Sequence, residues 1–144
     1  MKDKLPKQPR ISGVVFSDLG KASSFMAIDW VQQALRIALG FTPYPATLNL
    51  RPSAAGDASL WGAVQREMKG IEMPPSDAGF CSARLFRVRV MKSGPPKTET
   101  VDGAVLLPHV ADYPQNKIEV VAPVRLKDSL GVNDGDQLIL EFVH

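Results

Sequence analysis

Apolar positions along this chain follow two rhythms. Over residues 29–39 they recur at the spacing of one helical face: Val31, Ala34, Leu35 and Ala38 form an i, i+3, i+4, i+7 stripe, opposite Asp29, Gln32, Gln33 and Arg36. Asp29 with Gln32 three residues on reads as a capping box, and Gly40 suits the left-handed position past the end. A second helix is predicted over residues 58–69, with Asp57 as cap, Leu60, Trp61, Val64 and Met68 as its apolar face, and Gly70 as its end. Elsewhere the period is two, the mark of strands. Residues 80–91 and 137–143 read this way, and 11–16, rich in β-formers, 101–107, interrupted by Asp102-Gly103, and 117–122, short and buried, read as further strands. Within residues 80–91, Phe86, Val88 and Val90 alternate with Arg87 and Arg89, which read as a solvated sheet face, with an anion site as the alternative. Residues 71–79 and 108–116 read as loops, 123–130 as one or two helical turns, and 133–136 as a tight turn.

Between the two helices lies GFTPYPATLNL, residues 40–50. Pro43 and Pro45 fix their own φ and push the preceding residues out of the helical region. Thr47 to Leu50 then reads as a strand, with Leu48 and Leu50 on one face and Thr47 and Asn49 on the other. Positions two apart on a strand lie roughly 7 Å apart. Two short oxygen-bearing side chains at that spacing can converge on one ion or one phosphate. A magnesium ion so held needs waters and substrate phosphates to complete its octahedron. The polar stretch SDLGKASS, residues 17–24, is either a plain turn or a loop whose backbone N–H groups approach a phosphate. Glu119, set among apolar strand residues, faces either solvent or a pocket where it accepts hydrogen bonds from a ligand.

Six or so short strands, two helices between the early ones, and turn signals throughout predict a mainly β chain: a small β-barrel with inserted helices. At 144 residues the expectation is a flexible tail over 1–10 and a single domain over 11–144. Hydrophobic residues at 44% and charged residues at 22% are ordinary for a globular protein. No apolar run approaches the ~20 residues of a membrane span, and residues 1–10 lack the apolar core of a secretory signal. One cysteine, Cys81, allows no intrachain disulfide, and with no secretory signal read in the sequence a cytoplasmic protein is expected. A net charge of +2 is too small to argue for nucleic acid. His109 and His144 are isolated and build no zinc or iron site with Cys81. A monomer without nucleic-acid or membrane partners is expected.

Four blocks occur in order: GVVFSDLGKASSF at 13–25, LGFTPYPATLNL at 39–50, VDGAVLLP at 101–108, and IEVVAPVRLK at 118–127, the last followed by a DGD turn. Together they resemble the archaeal-type CTP-dependent riboflavin kinase family. The resemblance implies a six-stranded cradle-loop (riboflavin-kinase-like) barrel and phosphoryl transfer from CTP to the 5′-hydroxyl of riboflavin, giving FMN and CDP with Mg. It implies Thr47 and Asn49 as metal ligands. It implies a nucleotide site from Leu19, Gly20, Lys21, Ala22, Ser23 and Ser24 together with Val124, Arg125, Leu126 and Lys127. Ala111 and Glu119 fall at the flavin positions. No catalytic base follows from the resemblance; Glu119 and Asp112 are candidates by chemistry alone. The chain departs from the family pattern at three places. The usual Ser-Gly-Leu-Gly-Glu-Gly is Ser17-Asp18-Leu19-Gly20-Lys21-Ala22, Ala46 replaces a glycine, and Ala111-Asp112 replaces a Thr-Tyr pair, with Tyr113 next. These departures motivate an alternative, a non-catalytic flavin- or nucleotide-binding relative. A DNA-binding swapped-hairpin barrel is the third reading, suggested only by the DGD turn and slight basicity.

Overall fold

The computed structural model of the chain describes residues 5–17, 26–73, 82–94 and 99–144. Its strands are β1 (Arg10–Phe16), β2 (Leu48–Pro52), β3 (Ile71–Met73), β4 (Ala83–Lys92), β5 (Val101–Pro108), β6 (Ile118–Val121) and β7 (Gln137–Phe142). Its helices are α1 (Asp29–Leu39), α2 (Ala55–Glu67) and α3 (Leu126–Leu130). Strands neighbour one another in the order β3-β4-β5-β6-β2-β1-β7, all antiparallel, and β7 pairs again with β4. That last pairing closes six strands into a barrel and leaves β3 appended to β4.

Both faces of much of this sheet are apolar, which explains the near-continuous hydrophobic runs of β4, β5 and β6. The inward face carries Leu48, Leu50, Phe86, Val88, Ile118, Val120, Leu138, Leu140 and Phe142. Trp61 of α2 joins this core, edge-on to Phe86 at 5.8 Å between ring centroids and tilted against Phe142 at 6.0 Å. The outward face carries Leu85, Ala104, Leu106 and Val121, and α1 covers it with Val31, Leu35 and Leu39. Two cores therefore share one sheet.

Several expectations change against this frame. Ile28, not Asp29, is the N-cap of α1, and no side chain caps it. Asp29 sits in the first turn, where a carboxylate still complements the helix dipole. Gln32 reaches outside the helix instead, donating to the Met26 carbonyl at 2.5 Å. The second helix begins at Ala55, so Asp57 is inside its first turn rather than at its cap. Its carboxylate accepts the Ser12 backbone N–H at 2.9 Å and ties α2 to β1. Of the expected loop at 71–79, residues 71–73 form a strand, β3, while 74–79 and the first two positions of the strand expected over 80–91 lie outside the described residues; β4 runs from Ala83. Gly103 does not interrupt β5. A β-carbon there would lie 2.5 Å from the Val121 carbonyl oxygen, so glycine is what permits β6 to pack alongside.

Arg87 is not on a solvated face, because α1 covers that side of β4. Its two terminal nitrogens donate to the carbonyls of Leu39 and Ala38, at 3.0 and 3.1 Å, meeting acceptors that the helix end leaves unpaired. Pro123 lies ahead of α3, which starts at Leu126 after Arg125. Within residues 5–10, Leu5 packs on the barrel core, the Pro9 carbonyl accepts the Phe142 N–H at 2.8 Å, and Arg10 already belongs to β1.

Candidate functional site

The GFTPYP segment carries the chain from α1 to β2. Gly40, at φ +82°, ends the helix, and its N–H returns to the Arg36 carbonyl. The Tyr44 N–H then bonds the Ala122 carbonyl at 2.7 Å, which anchors the segment beside the end of β6. Thr47 falls one residue before β2, not within it. Register places Asn49 opposite Glu119 on one side and opposite Phe16 on the other. Since Leu48, Leu50, Ile118 and Val120 point inward, Asn49 and Glu119 stand on the outer face.

Both are nearly sealed from water, with 8% of Asn49 and 6% of Glu119 exposed. The Glu119 carboxylate is well supplied: Tyr113 donates its hydroxyl to Oε2 at 2.6 Å, Thr47 donates to Oε1 at 3.3 Å, and the Lys117 ammonium is 3.9 Å from Oε1. The Asn49 side-chain oxygen is not. It is buried and accepts no hydrogen bond. Leaving such an acceptor unmet costs about 1–3 kcal/mol. An unmet amide oxygen beside a threonine hydroxyl and a carboxylate is an all-oxygen donor set, which suits a hard divalent cation. Directing the Thr47 hydrogen toward Glu119 leaves the hydroxyl lone pairs available to such an ion. Among the described residues no group of three or more His, Cys, Asp or Glu could hold a metal. A cation here would meet the Asn49 and Thr47 oxygens with a single carboxylate, Glu119, beside them, and would need water and ligand phosphates to complete its shell.

Two cavities flank this cluster. One, of about 130 Å³, is bordered by Tyr44, Thr47 and Val120, and by Val124, Arg125, Leu126 and Lys127. It unites four of the residues expected to bind nucleotide with one of the metal pair. Both cations have acidic company: Arg125 pairs with Asp128 at 2.7 Å, and Lys127 with Asp134 at 3.0 Å. Ser17 donates to Asp134 at 2.7 Å and accepts from Lys127 at 3.2 Å. The Ser17 hydrogen bond, then that of Lys127, holds the Asp134 carboxyl below its ordinary range. The expected nucleotide residues Leu19, Gly20, Lys21, Ala22, Ser23 and Ser24 lie outside the described residues.

The second cavity, of about 450 Å³, lies between α2 and the loop after β5, lined by Trp61, Gln65, Ala111 and Tyr113 among others. Ala111 borders this cavity. Asp112 is exposed on the same loop. Tyr113 belongs to both places: its ring lines the cavity and its hydroxyl holds Glu119. Sequence reasoning assigned Tyr113 and Lys117 no role. The available signal was their nearness in sequence to Glu119, six and two residues away.

The CTP-dependent riboflavin kinase family, described as "Domain of unknown function DUF120", matches residues 15–142. The chain belongs to this family. The riboflavin kinase of Aeropyrum pernix is 38% identical over 129 residues, covering 88% of this chain and 89% of the relative. That of Methanobrevibacter smithii is 31% identical over 133 residues, covering 92% and 99%. That of Pyrobaculum islandicum is 34% identical over 136 residues, covering 92% of this chain and 60% of its own length. The chain thus spans about 60% of the length of the Pyrobaculum relatives it matches. The closed six-stranded barrel with its helices is consistent with a riboflavin-kinase-like fold, as the family resemblance implied. Among the described residues, no helix is long and apolar enough to cross a membrane.

Proposed function

We propose that this chain is a phosphotransferase that makes FMN from riboflavin, with CTP as donor and Mg²⁺ as metal. The new P–O bond forms at the riboflavin 5′-oxygen while the bond from the terminal phosphorus to the CDP oxygen breaks, and the hydroxyl proton is released. Family membership supports the reaction. The observation that carries it at residue level is the buried, unbonded Asn49 oxygen beside Thr47 and Glu119.

Thr47 and Asn49 hold the metal, which when bound neutralises charge on the phosphates and orients the transferred group. Val124, Arg125, Leu126 and Lys127 form one wall of the donor site, and Lys127 exchanges Asp134 for a phosphate oxygen. Glu119 accepts a hydrogen bond from the acceptor and so fixes its hydroxyl toward the donor. Ala111 belongs to the acceptor side. Loop residues Leu19, Gly20, Lys21, Ala22, Ser23 and Ser24 complete the donor site from the stretch that Ser17 introduces. The same reading has the protein working in the cytoplasm as a monomer.

The test is turnover: riboflavin and Mg²⁺ with CTP or ATP in parallel, FMN resolved by chromatography. FMN with CTP is expected. FMN with ATP alone would overturn the donor, and an unchanged rate in Asn49→Ala would overturn the metal pair. One observation favours a second reading, a non-catalytic binder: Glu119 and Lys127 are already engaged by side chains of the chain itself. That reading requires quenching of riboflavin fluorescence without FMN formation.

A further inference from the structure

Alternation along β2 sets Asn49 and Arg51 on the outer face, and Thr47, just ahead of the strand, extends the row through its hydrogen bond to Glu119, the register partner of Asn49. The row has a direction. Thr47 borders the smaller cavity, with Val124 to Lys127. Arg51 stands at the far end, beyond Asn49. Its register partner on β1 is Val14, yet its guanidinium does not lie there. The guanidinium carbon is 4.2 Å from the centroid of the Phe16 ring, and Phe16 is the partner of Asn49. Paired side chains across two strands have Cβ atoms about 4.5–5.5 Å apart. The arginine head is therefore drawn back along the sheet toward Asn49.

Stacking on a ring uses the face of the guanidinium and leaves its N–H edge for a ligand. Other cations around the cluster are committed to carboxylates: Lys127 to Asp134, Arg125 to Asp128, and Lys117 beside Glu119. Among the described residues, Arg51 alone of these four has no carboxylate partner. A pre-positioned, uncompensated guanidinium with free donors has the chemistry of a phosphate clamp.

We infer that Arg51 binds the phosphate monoester of the flavin product, at the end of the row opposite the nucleotide. The direction of the row rests on the kinase reading. The contact itself is a guanidinium holding a dianionic phosphate attached to an alkyl chain.

The experiment is a fluorescence-quenching titration of the intact chain with FMN and, separately, riboflavin, for wild type, Arg51→Met and Arg51→Lys. Wild type should bind FMN more tightly than riboflavin. In Arg51→Met the FMN dissociation constant should rise roughly 10–100-fold, the worth of a charge-assisted hydrogen-bonded pair, with riboflavin affinity nearly unchanged. Arg51→Lys should recover part of the loss, because a point charge cannot make the bidentate contact. Inorganic phosphate should compete with FMN on wild type and not on Arg51→Met. Arg51 is exposed, so unchanged thermal unfolding is expected to confirm that the variants fold. Equal shifts for both flavins, no shift for either, or a wild type without FMN preference would each overturn the inference. Turnover assayed alongside separates the two proposals. Wild type that uses Arg51 to prefer FMN yet makes none would sink the kinase reading alone. Normal turnover with an indifferent Arg51→Met would sink the clamp alone. Wild type that binds neither flavin would sink both.

Discussion

Glu119 and Glu141 are both glutamates on the outer face of one barrel, with 6% and 8% of their surface exposed. Their surroundings are opposite. Glu141 meets two guanidinium groups: Arg10 at 2.8 Å and Arg89 at 3.1 Å. Those partners come from β1 and β4, the two strands that β7 joins when the barrel closes. Hydrogen bonds from Arg10, then Arg89, hold the Glu141 carboxyl below the ordinary glutamate range. Glu119 instead meets a phenol and a threonine hydroxyl, with a lysine at 3.9 Å and an unbonded amide oxygen opposite in register. Burial alone thus says little about what a carboxylate does. A carboxylate matched by fixed charges is a completed joint, whereas one matched by hydroxyls has partners that a substrate hydroxyl can replace.

The largest test of this contrast is Asn49→Leu. Removing the unmet acceptor should raise the unfolding temperature, by about 1 kcal/mol of stability. It should also lower FMN formation at least ~100-fold, since metal stabilisation of phosphoryl transfer is worth several kcal/mol. A less stable variant with full turnover would place Asn49 with the structural residues. Next comes the pair of amide substitutions. Glu119→Gln should cost about 10–100-fold in turnover, the worth of a charge-assisted hydrogen bond to the acceptor, with little change in thermal unfolding. Glu141→Gln should do the reverse, leaving turnover intact and lowering the unfolding temperature by a few degrees.

A pH series sharpens the same point. The folded-state pKa of Glu141 is lowered, so its contribution is complete above the ordinary glutamate value of about 4.3 and is lost as pH falls through the lower folded value. The gap in unfolding temperature between wild type and Glu141→Gln should therefore close at the acid end. A gap that is constant across the series would mean that packing, not charge, makes the difference. The smallest effect is expected from Tyr113→Phe. Losing one hydrogen bond to Glu119, worth about 1 kcal/mol, should raise the riboflavin KM roughly fivefold and leave kcat nearly unchanged. A large fall in kcat would show Tyr113 to be closer to the chemistry than the contrast allows.

Strong periods made α1 and the facing of Thr47 and Asn49 readable in advance. A stripe of Val31, Ala34, Leu35 and Ala38 has one way to be buried, and β2 alternates without ambiguity. β3 was not readable, because three residues carry no period. Asp29 and Asp57 misled because capping depends on where the chain enters the helix, and Asp57 is occupied by a backbone N–H 45 residues away. Arg87 looked solvated because nothing in β4 itself reveals that α1 lies over that face. Of the two options open for Glu119, solvent or pocket, burial excludes the first. Its partner Tyr113 sits on a loop whose path follows no sequence rule, so only the folded chain connects them.

Barrel closure has a consequence for the order of folding. β7, the last of the described strands, joins β1, the first of them, and Arg10 finds Glu141 across 131 residues. Pairings this remote carry their loop-closure cost before any contact rewards them, which sets folding on the scale of milliseconds to seconds. Synthesis imposes a further wait. Until residue 142 has cleared the ribosome, β1 and β4 present open edges, and the nascent chain carries an aggregation hazard that the completed barrel removes at those seams.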